Sequence, residues 1–119
     1  MDIKAYKKRI EEEIVTPLVN IRNYEDDCGF CTRQVMMLKK LVIKYMKKLN
    51  KKKSPPNEKI LKQMKKLIFA INKLNRNTDY CMLESDIGDD LCYLIEDIAI
   101  DCGYPEIKED ITKPWREEW

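Results

Sequence analysis

Residues 31–49 read CTRQVMMLKKLVIKYMKKL, and the spacing of their apolar side chains decides the fold. These side chains recur at intervals of four and three residues: Cys31, Val35, Leu38, Val42, Tyr45 and Leu49. That is the period of an α-helix with one buried face. Lysines occupy positions between them and form a solvated face. The stretch therefore predicts an amphipathic helix of about 20 residues.

A second amphipathic stretch follows after a short break. Its apolar positions are again four and three residues apart: Ile60, Met64, Leu67, Ile71 and Leu74. In the break, Ser54 is a suitable N-cap, and Pro55 suits a first helical position, where no amide partner is needed. Because a short connection between two long helices favours antiparallel packing, we expect a central helical hairpin.

A helix is also predicted before the hairpin. Ile3, Tyr6, Ile10 and Ile14 follow helical spacing up to Pro17. Proline has no amide hydrogen and its ring clashes with the preceding turn, so we expect the helix to end or kink near Thr16.

The last predicted helix follows the hairpin. Its apolar stripe comprises Ile87, Leu91, Leu94, Ile98 and Cys102. Ser85 or Asp86 can cap its start, and Gly103 is placed to end it in the left-handed conformation. Beyond it, the tail of residues 110–119 is expected to add one short turn near Thr112 or Pro114.

These patterns predict the fold class. No segment shows the sustained alternation of a half-buried strand. We therefore expect an all-α, single-domain protein over residues 1–119, a four-helix bundle-like array with a central antiparallel hairpin and a short C-terminal tail that contains tryptophan. The length of 119 residues suits one domain.

Composition narrows the function classes. The chain is 44% apolar and 37% charged, too apolar for a disordered chain and too charged for a membrane protein. It contains no histidine, which excludes a Ser-His-Asp triad and every zinc site that needs imidazole. No apolar leader is visible at the start, and five cysteines without an export signal favour a reducing cytosol, so we expect a cytoplasmic protein.

The net charge of +2 conceals two opposed blocks. Residues 28–76 carry 15 Lys and Arg against one Glu, whereas residues 77–119 carry 3 against 13 Asp and Glu. Such segregation points to a charged partner or to pairing within the chain. We expect part of the lysine face to meet the acidic third of the same chain.

The acidic block supplies the predicted binding residues. Carboxylates surround the last helix at Glu84, Asp86, Asp89, Asp90, Glu96, Asp97 and Asp101. Those near its start are also explained by the positive end of the helix dipole. Asp97 and Asp101 lie toward the negative end, so we expect them to face a cationic partner, within the chain or on another protein. The pattern of a calcium loop is missing.

Three further features have alternative explanations. Cys28 and Cys31 form a CxxC spacing typical of redox or zinc sites, but they also suit a pair of small apolar residues. The lysine hairpin could bind nucleic acid or simply be solvated. Trp115 and Trp119, four residues apart, could pack on the bundle or anchor a partner.

The last third of the chain also carries a resemblance. Residues 83–92, LESDIGDDLC, and residues 110–119, DITKPWREEW, are similar to small, poorly characterised bacterial proteins with an acidic helix start and a terminal Trp-Arg-x-x-Trp. Proteins of this kind resemble immunity proteins, which neutralise a cognate toxin. The resemblance covers residues 74–119 and implies roles for Glu84, Asp86, Asp89, Asp90, Trp115, Arg116 and Trp119.

Together these observations predict a non-enzymatic, bacterial protein-binding module, an immunity protein whose acidic surface neutralises a cognate protein toxin. The predicted partner-binding residues are Glu84, Asp86, Asp89, Asp90, Asp97, Asp101, Trp115, Arg116 and Trp119. No catalytic residue, metal or cofactor is predicted, and no membrane partner. The first alternative is a nucleic-acid-associated or regulatory protein that uses the lysine hairpin, and the second is a thiol enzyme centred on Cys28 and Cys31.

Overall fold

The computed structural model describes residues 1–24, 29–84, 86–107 and 109–119. Its helices are α1 (Ile3–Arg9), a π-helical segment (Ile10–Val15), α2 (Thr16–Tyr24), α3 (Thr32–Asn50), α4 (Asn57–Asn77) and α5 (Ile87–Asp101). Since α1, the π-helical segment and α2 are contiguous, the described residues form four helical units and no strand. The predicted all-α fold is confirmed.

Pro17 changes the first helix without ending it. The amide of Thr16 donates to the carbonyl of Glu11, five residues back, which is the bond of a π-helix. In a regular α-helix the proline ring would clash with the carbonyl four residues before it. The wider π turn in front of Pro17 accommodates the ring, so the helix continues as α2.

The α3 helix occupies the centre of the bundle. It contacts the π-helical segment, α2, α4 and α5. Its inward positions, such as Leu38 and Leu49, are fully buried. The hydroxyl of Tyr45 donates to the carbonyl of Ile95 at 3.0 Å, which ties α3 to α5, and burial raises the pKa of this phenol. The apolar spacing of residues 31–49 thus correctly predicted an amphipathic helix, α3, with one buried face.

The start of α4 differs from the prediction. Ser54 adopts a left-handed backbone with φ of 57°, and Pro56, with ψ of 147°, is the N-cap residue. The chain is therefore still turning at Ser54 and Pro55. The helix begins two residues later than a Pro55 start would place it, because only beyond Pro56 does the backbone become helical.

The two ends of α5 behave differently. Gly103 has φ of 104°, and the amide of Tyr104 donates to the carbonyl of Ala99 at 3.1 Å, which confirms a glycine-terminated helix. Asp86 precedes the helix but does not cap it with its side chain, because its backbone is already helical. The other predicted cap, Ser85, lies outside the described residues.

None of the helices in the described ranges combines the length and the hydropathy required to cross a bilayer.

Candidate functional site

One buried side chain holds the C-terminal tail on the bundle. Asn72 of α4 donates through Nδ2 to the carbonyl of Trp115 at 2.7 Å. Its Oδ1 accepts from the amide of Glu117 at 3.0 Å and from Nε1 of Trp119 at 2.6 Å. The amides of Trp115 and Arg116 both donate to the carbonyl of Thr112, which forms the predicted short turn. Asn72 therefore anchors the tail at three points.

The rest of the tail lies against the start of α5. The guanidinium of Arg116 forms an ion pair with Asp110 and donates to the carbonyl of Trp119 at 2.7 Å. The same guanidinium lies 5.8 Å from the centroid of the Trp119 ring. A Cβ added at Gly88 would come within 3.8 Å of the Trp119 side chain. Both tryptophans are half-buried, so the tail packs on the bundle and leaves part of each ring exposed.

Two predicted acidic residues have partners within the chain. Asp97 accepts from the guanidinium of Arg9 at 3.0 Å. Asp101 accepts from the hydroxyl of Tyr6, and burial together with this bond raises the pKa of the phenol. For Asp97 the expected cationic partner is thus Arg9 of α1. For Asp101 the partner is a neutral hydroxyl, which can donate to the carboxylate without carrying a charge.

The remaining predicted carboxylates form what we call the acidic edge: Glu84, Asp86, Asp89 and Asp90. The first three are exposed and Asp90 is half-buried. Across the described ranges, no ion pair or side-chain hydrogen bond joins these carboxylates to another residue. Their negative charge is therefore available at the surface beside the start of α5.

A depression of about 260 Å³ borders the acidic edge. Asp89, Glu96, Glu109 and Asp110 contribute carboxylates to its lining, and Tyr93 lies beside them. The side chain of Tyr93 is 63% exposed, the most exposed of the large apolar side chains described. This arrangement offers an aromatic ring within an acidic depression, which is suited to a cationic side chain.

Two carboxyl groups that line this depression, those of Glu96 and Asp110, have pKa values shifted in opposite directions. Burial, and then the neighbouring charges of Asp110 and Asp97, raise the pKa of Glu96 to about 7. Burial also acts to raise the pKa of Asp110, but the Thr112 hydroxyl and the Arg116 guanidinium outweigh it and hold that pKa below its usual range. Near neutral pH, Glu96 is thus partly protonated whereas Asp110 is ionised.

We expect Glu96 to make stability fall as pH rises from about 4.5 to about 7. In this window the folded protein binds a proton at Glu96 that the unfolded chain has already lost, so deprotonation favours unfolding. The Glu96→Gln variant should lack this pH-dependent fall in stability and be more stable than the parent protein at pH 8. Urea denaturation at several pH values measures it. Parallel pH profiles for the two proteins would contradict this prediction.

The lysines of the hairpin do not pair with the acidic helix. Lys39 forms an ion pair with Glu11 of the π-helical segment, and Arg76 pairs with Glu117 at 2.9 Å. Within the part of the chain that the structure describes, no other basic residue of α3 or α4 forms an ion pair. The basic face therefore meets the acidic third at the tail, where Arg76 pairs with Glu117 and Lys65 lies 5.9 Å from the centroid of the Trp115 ring. It does not meet α5, whose cationic partner among the described residues is Arg9 of α1.

The cysteines show no assembled site in the described ranges. Cys28 lies outside them, and Cys31 is exposed just before α3, where its amide donates to Oε1 of Gln34 at 2.9 Å. Cys92 and Cys102 are buried, and burial raises the pKa of Cys92 to about 11. No three potential metal ligands cluster among the residues described. The thiol-enzyme hypothesis stays a prediction for the CxxC pair alone.

Two residues that sequence reasoning did not select stand out here. Asn72 belongs to the buried face of α4, and a polar residue next to Ile71 in an apolar stripe is the signal that could have identified it. Tyr93 interrupts the polar face of α5, four residues from both Asp89 and Asp97. An aromatic residue between carboxylates at helical spacing could have marked it as exposed.

Comparisons with protein-family models, with curated proteins and with solved structures found no match for this chain.

Proposed function

We propose that this chain is a non-enzymatic immunity protein that neutralises a cognate bacterial toxin through its acidic edge. The observation that supports this most directly is the lack of internal partners for Glu84, Asp86, Asp89 and Asp90 among the described residues. A carboxylate cluster with no counter-charge among the described residues is suited to the basic substrate groove of a nuclease-like toxin. The protein would act in the cytoplasm of the cell that makes it.

The acidic edge and Tyr93 have separate parts in this proposal. Unpaired carboxylates attract a basic surface over a distance and so accelerate association. An exposed aromatic ring can be buried on contact and slows dissociation, since tyrosine is enriched among the residues that dominate binding energy. Tyr93 follows Asp89 by four residues on α5, so both side chains lie on the same face of the helix.

The other predicted binding residues contribute first by holding this surface in place. Asp97 and Asp101 join α5 to α1 through Arg9 and Tyr6. Arg116 and the tryptophans join the tail to α4 and to the start of α5. Direct contact of these residues with a toxin stays a prediction. We expect the exposed parts of their side chains to make that contact.

The proposal is tested with the toxin encoded beside the gene. Co-expression should rescue cells from the toxin, and the purified proteins should form a complex. The Glu84→Lys/Asp89→Lys variant should weaken the complex by about 100-fold or more, mainly through slower association. The Tyr93→Ala variant should weaken it at least about tenfold through faster dissociation.

A matched control separates position from net charge. The Glu12→Lys/Glu58→Lys variant makes the same change in charge at exposed positions on other helices. It should retain binding to within about threefold at moderate salt, because distant surface charges are screened. Absence of both complex and rescue would end the proposal. Equal losses of affinity in the two double variants would show that the acidic edge is not the binding surface.

A further inference from the structure

The outer side of the α3–α4 hairpin carries a groove that is independent of the acidic edge. Two adjoining depressions of about 200 and 360 Å³ follow the seam between the helices and share Leu41 and Ala70. At one end Lys48 lies across from Gln63, and at the other Met37 lies across from Leu74. With a rise of 1.5 Å per residue, the span from Met37 to Lys48 is roughly 16 Å, or three helical turns.

The floor of this groove is apolar. Leu41 and Ala70 lie at its middle and are half-buried, so part of their surface faces solvent. Met37 lies toward one end and is 45% exposed. A ligand that places apolar side chains along the seam would remove this surface from water, at roughly 25 cal/mol for each Å² buried.

The rims of the groove are basic. Lys40, Lys44 and Lys48 line it from α3, and Lys66 and Lys73 line it from α4. None of these five ammonium groups forms an ion pair with a described residue. The charge of Lys66, followed by desolvation and the charges of Lys44 and Lys51, lowers the pKa of Lys48. Carboxylates placed along the rims would relieve this mutual repulsion.

We propose that the groove of Leu41 and Ala70, with its lysine rims, binds an acidic amphipathic helix of a partner protein. An apolar stripe of three turns matches the floor, and carboxylates on both sides of that stripe meet the lysines of α3 and α4. The helix would pack in the seam as a third helix of the hairpin.

The composition of the groove favours this occupant over nucleic acid. Sequence-tolerant binding of single strands uses exposed aromatic rings on which bases stack, and phosphate recognition commonly uses arginine. The residues that line the groove include no arginine, and their one aromatic residue, Tyr45, is 3% exposed. An apolar floor between cationic rims instead matches a surface that is itself both apolar and acidic.

The test uses the full chain and a labelled peptide of about 18 residues, which as a helix is longer than the three turns of the groove. Leucines at helical spacing form one face of the peptide and glutamates the remainder. Fluorescence anisotropy should show saturable binding that weakens as salt increases. A peptide of the same composition with its leucines scattered around the helix should bind at least about tenfold more weakly, because it cannot cover the floor.

Variants locate the binding. Lys44→Glu/Lys66→Glu should weaken the peptide complex at least about tenfold. Ala70→Glu should weaken it by a similar factor, because it places a carboxylate on the apolar floor. The control Lys4→Glu/Lys7→Glu makes the same change in net charge on α1 and should leave affinity within about threefold. Far-ultraviolet circular dichroism checks that each variant folds. The variants should leave the affinity for the toxin unchanged, which separates this proposal from the function of the acidic edge.

Three outcomes would overturn the proposal. The first is a dissociation constant weaker than about 1 mM for the amphipathic peptide. The second is tighter binding of a random DNA duplex that Lys44→Glu/Lys66→Glu abolishes and Ala70→Glu does not affect, which would assign the lysines to nucleic acid. The third is concentration-dependent self-association of the chain that blocks the peptide, which would make a second copy the occupant.

Discussion

Replacing Asn72 with alanine is expected to lower the free energy of unfolding by about 3 kcal/mol. The amide of Asn72 forms three hydrogen bonds to the tail, one to the carbonyl of Trp115, one to the amide of Glu117 and one to Nε1 of Trp119. Each such bond contributes about 1 kcal/mol, and a buried group left without a partner costs more. Since Asn72 is buried, water cannot easily replace its amide.

Urea denaturation followed by circular dichroism measures this loss. Tryptophan fluorescence should also shift to longer wavelength in the folded Asn72→Ala protein, because the released tail exposes Trp119 to water. Asn77→Ala, at an exposed position near the end of the same helix, is the matched control and should change stability by less than about 0.5 kcal/mol. Similar losses in the two variants would contradict the role of Asn72 as the anchor of the tail.

Asn72→Asp separates the two halves of the amide. A carboxylate can still accept from Glu117 and Trp119, but it cannot donate to the carbonyl of Trp115. We expect the native fluorescence maximum to be largely retained in this variant. Red-shifted emission as large as in Asn72→Ala would mean that the donated bond alone holds the tail.

The Gly29→Ala substitution is expected to cost about 3 kcal/mol. Gly29 has φ of 81°, a backbone conformation that is strained for alanine. A Cβ at this position would also lie 2.8 Å from Sγ and 2.9 Å from Cβ of Cys81, and 3.2 Å from the carbonyl of Thr78. Backbone strain and overlap therefore add, since neither can be relieved without moving the segment after α4.

Gly103→Ala isolates the backbone component of this cost. Gly103 also has a positive φ, of 104°, but a Cβ there would meet nothing within 4 Å. We expect this variant to lose only about 1 to 2 kcal/mol. Denaturation curves of the two variants test the difference, and equal losses would show that contact with Cys81 adds nothing.

The helices could be predicted where their signals were local. The spacing of apolar residues in α3 and α4 depends only on the period of the helix, and both helices were found. The start of α4 was missed because the left-handed backbone of Ser54 depends on how the loop closes between two packed helices. The sequence predicted that the first helix would end or kink at Pro17. It did not predict the π-helical turn through which the helix continues, because such a turn leaves no sequence pattern of its own.

The charges show the same division between local and tertiary information. The positions of the carboxylates on α5 follow from the sequence, and so does their excess over basic residues. The sequence does not show which carboxylates lack a partner within the chain, because Arg9 is 88 residues from Asp97 and Tyr6 is 95 residues from Asp101. Packing of α1 against α5 separates the paired carboxylates from the acidic edge.

The sequence by itself determined the all-α class, the central hairpin and the segregation of lysines from carboxylates, because helical periodicity and charge order are properties of neighbouring residues. Only the tertiary structure decided where the opposite charges meet. Ion pairing depends on distances of a few ångströms between remote segments, and those distances exist only after the helices pack. Among the described residues, only Arg76 and Glu117 form an ion pair between the two charged blocks. The two blocks leave an acidic edge beside Tyr93 and a lysine-rimmed groove between α3 and α4.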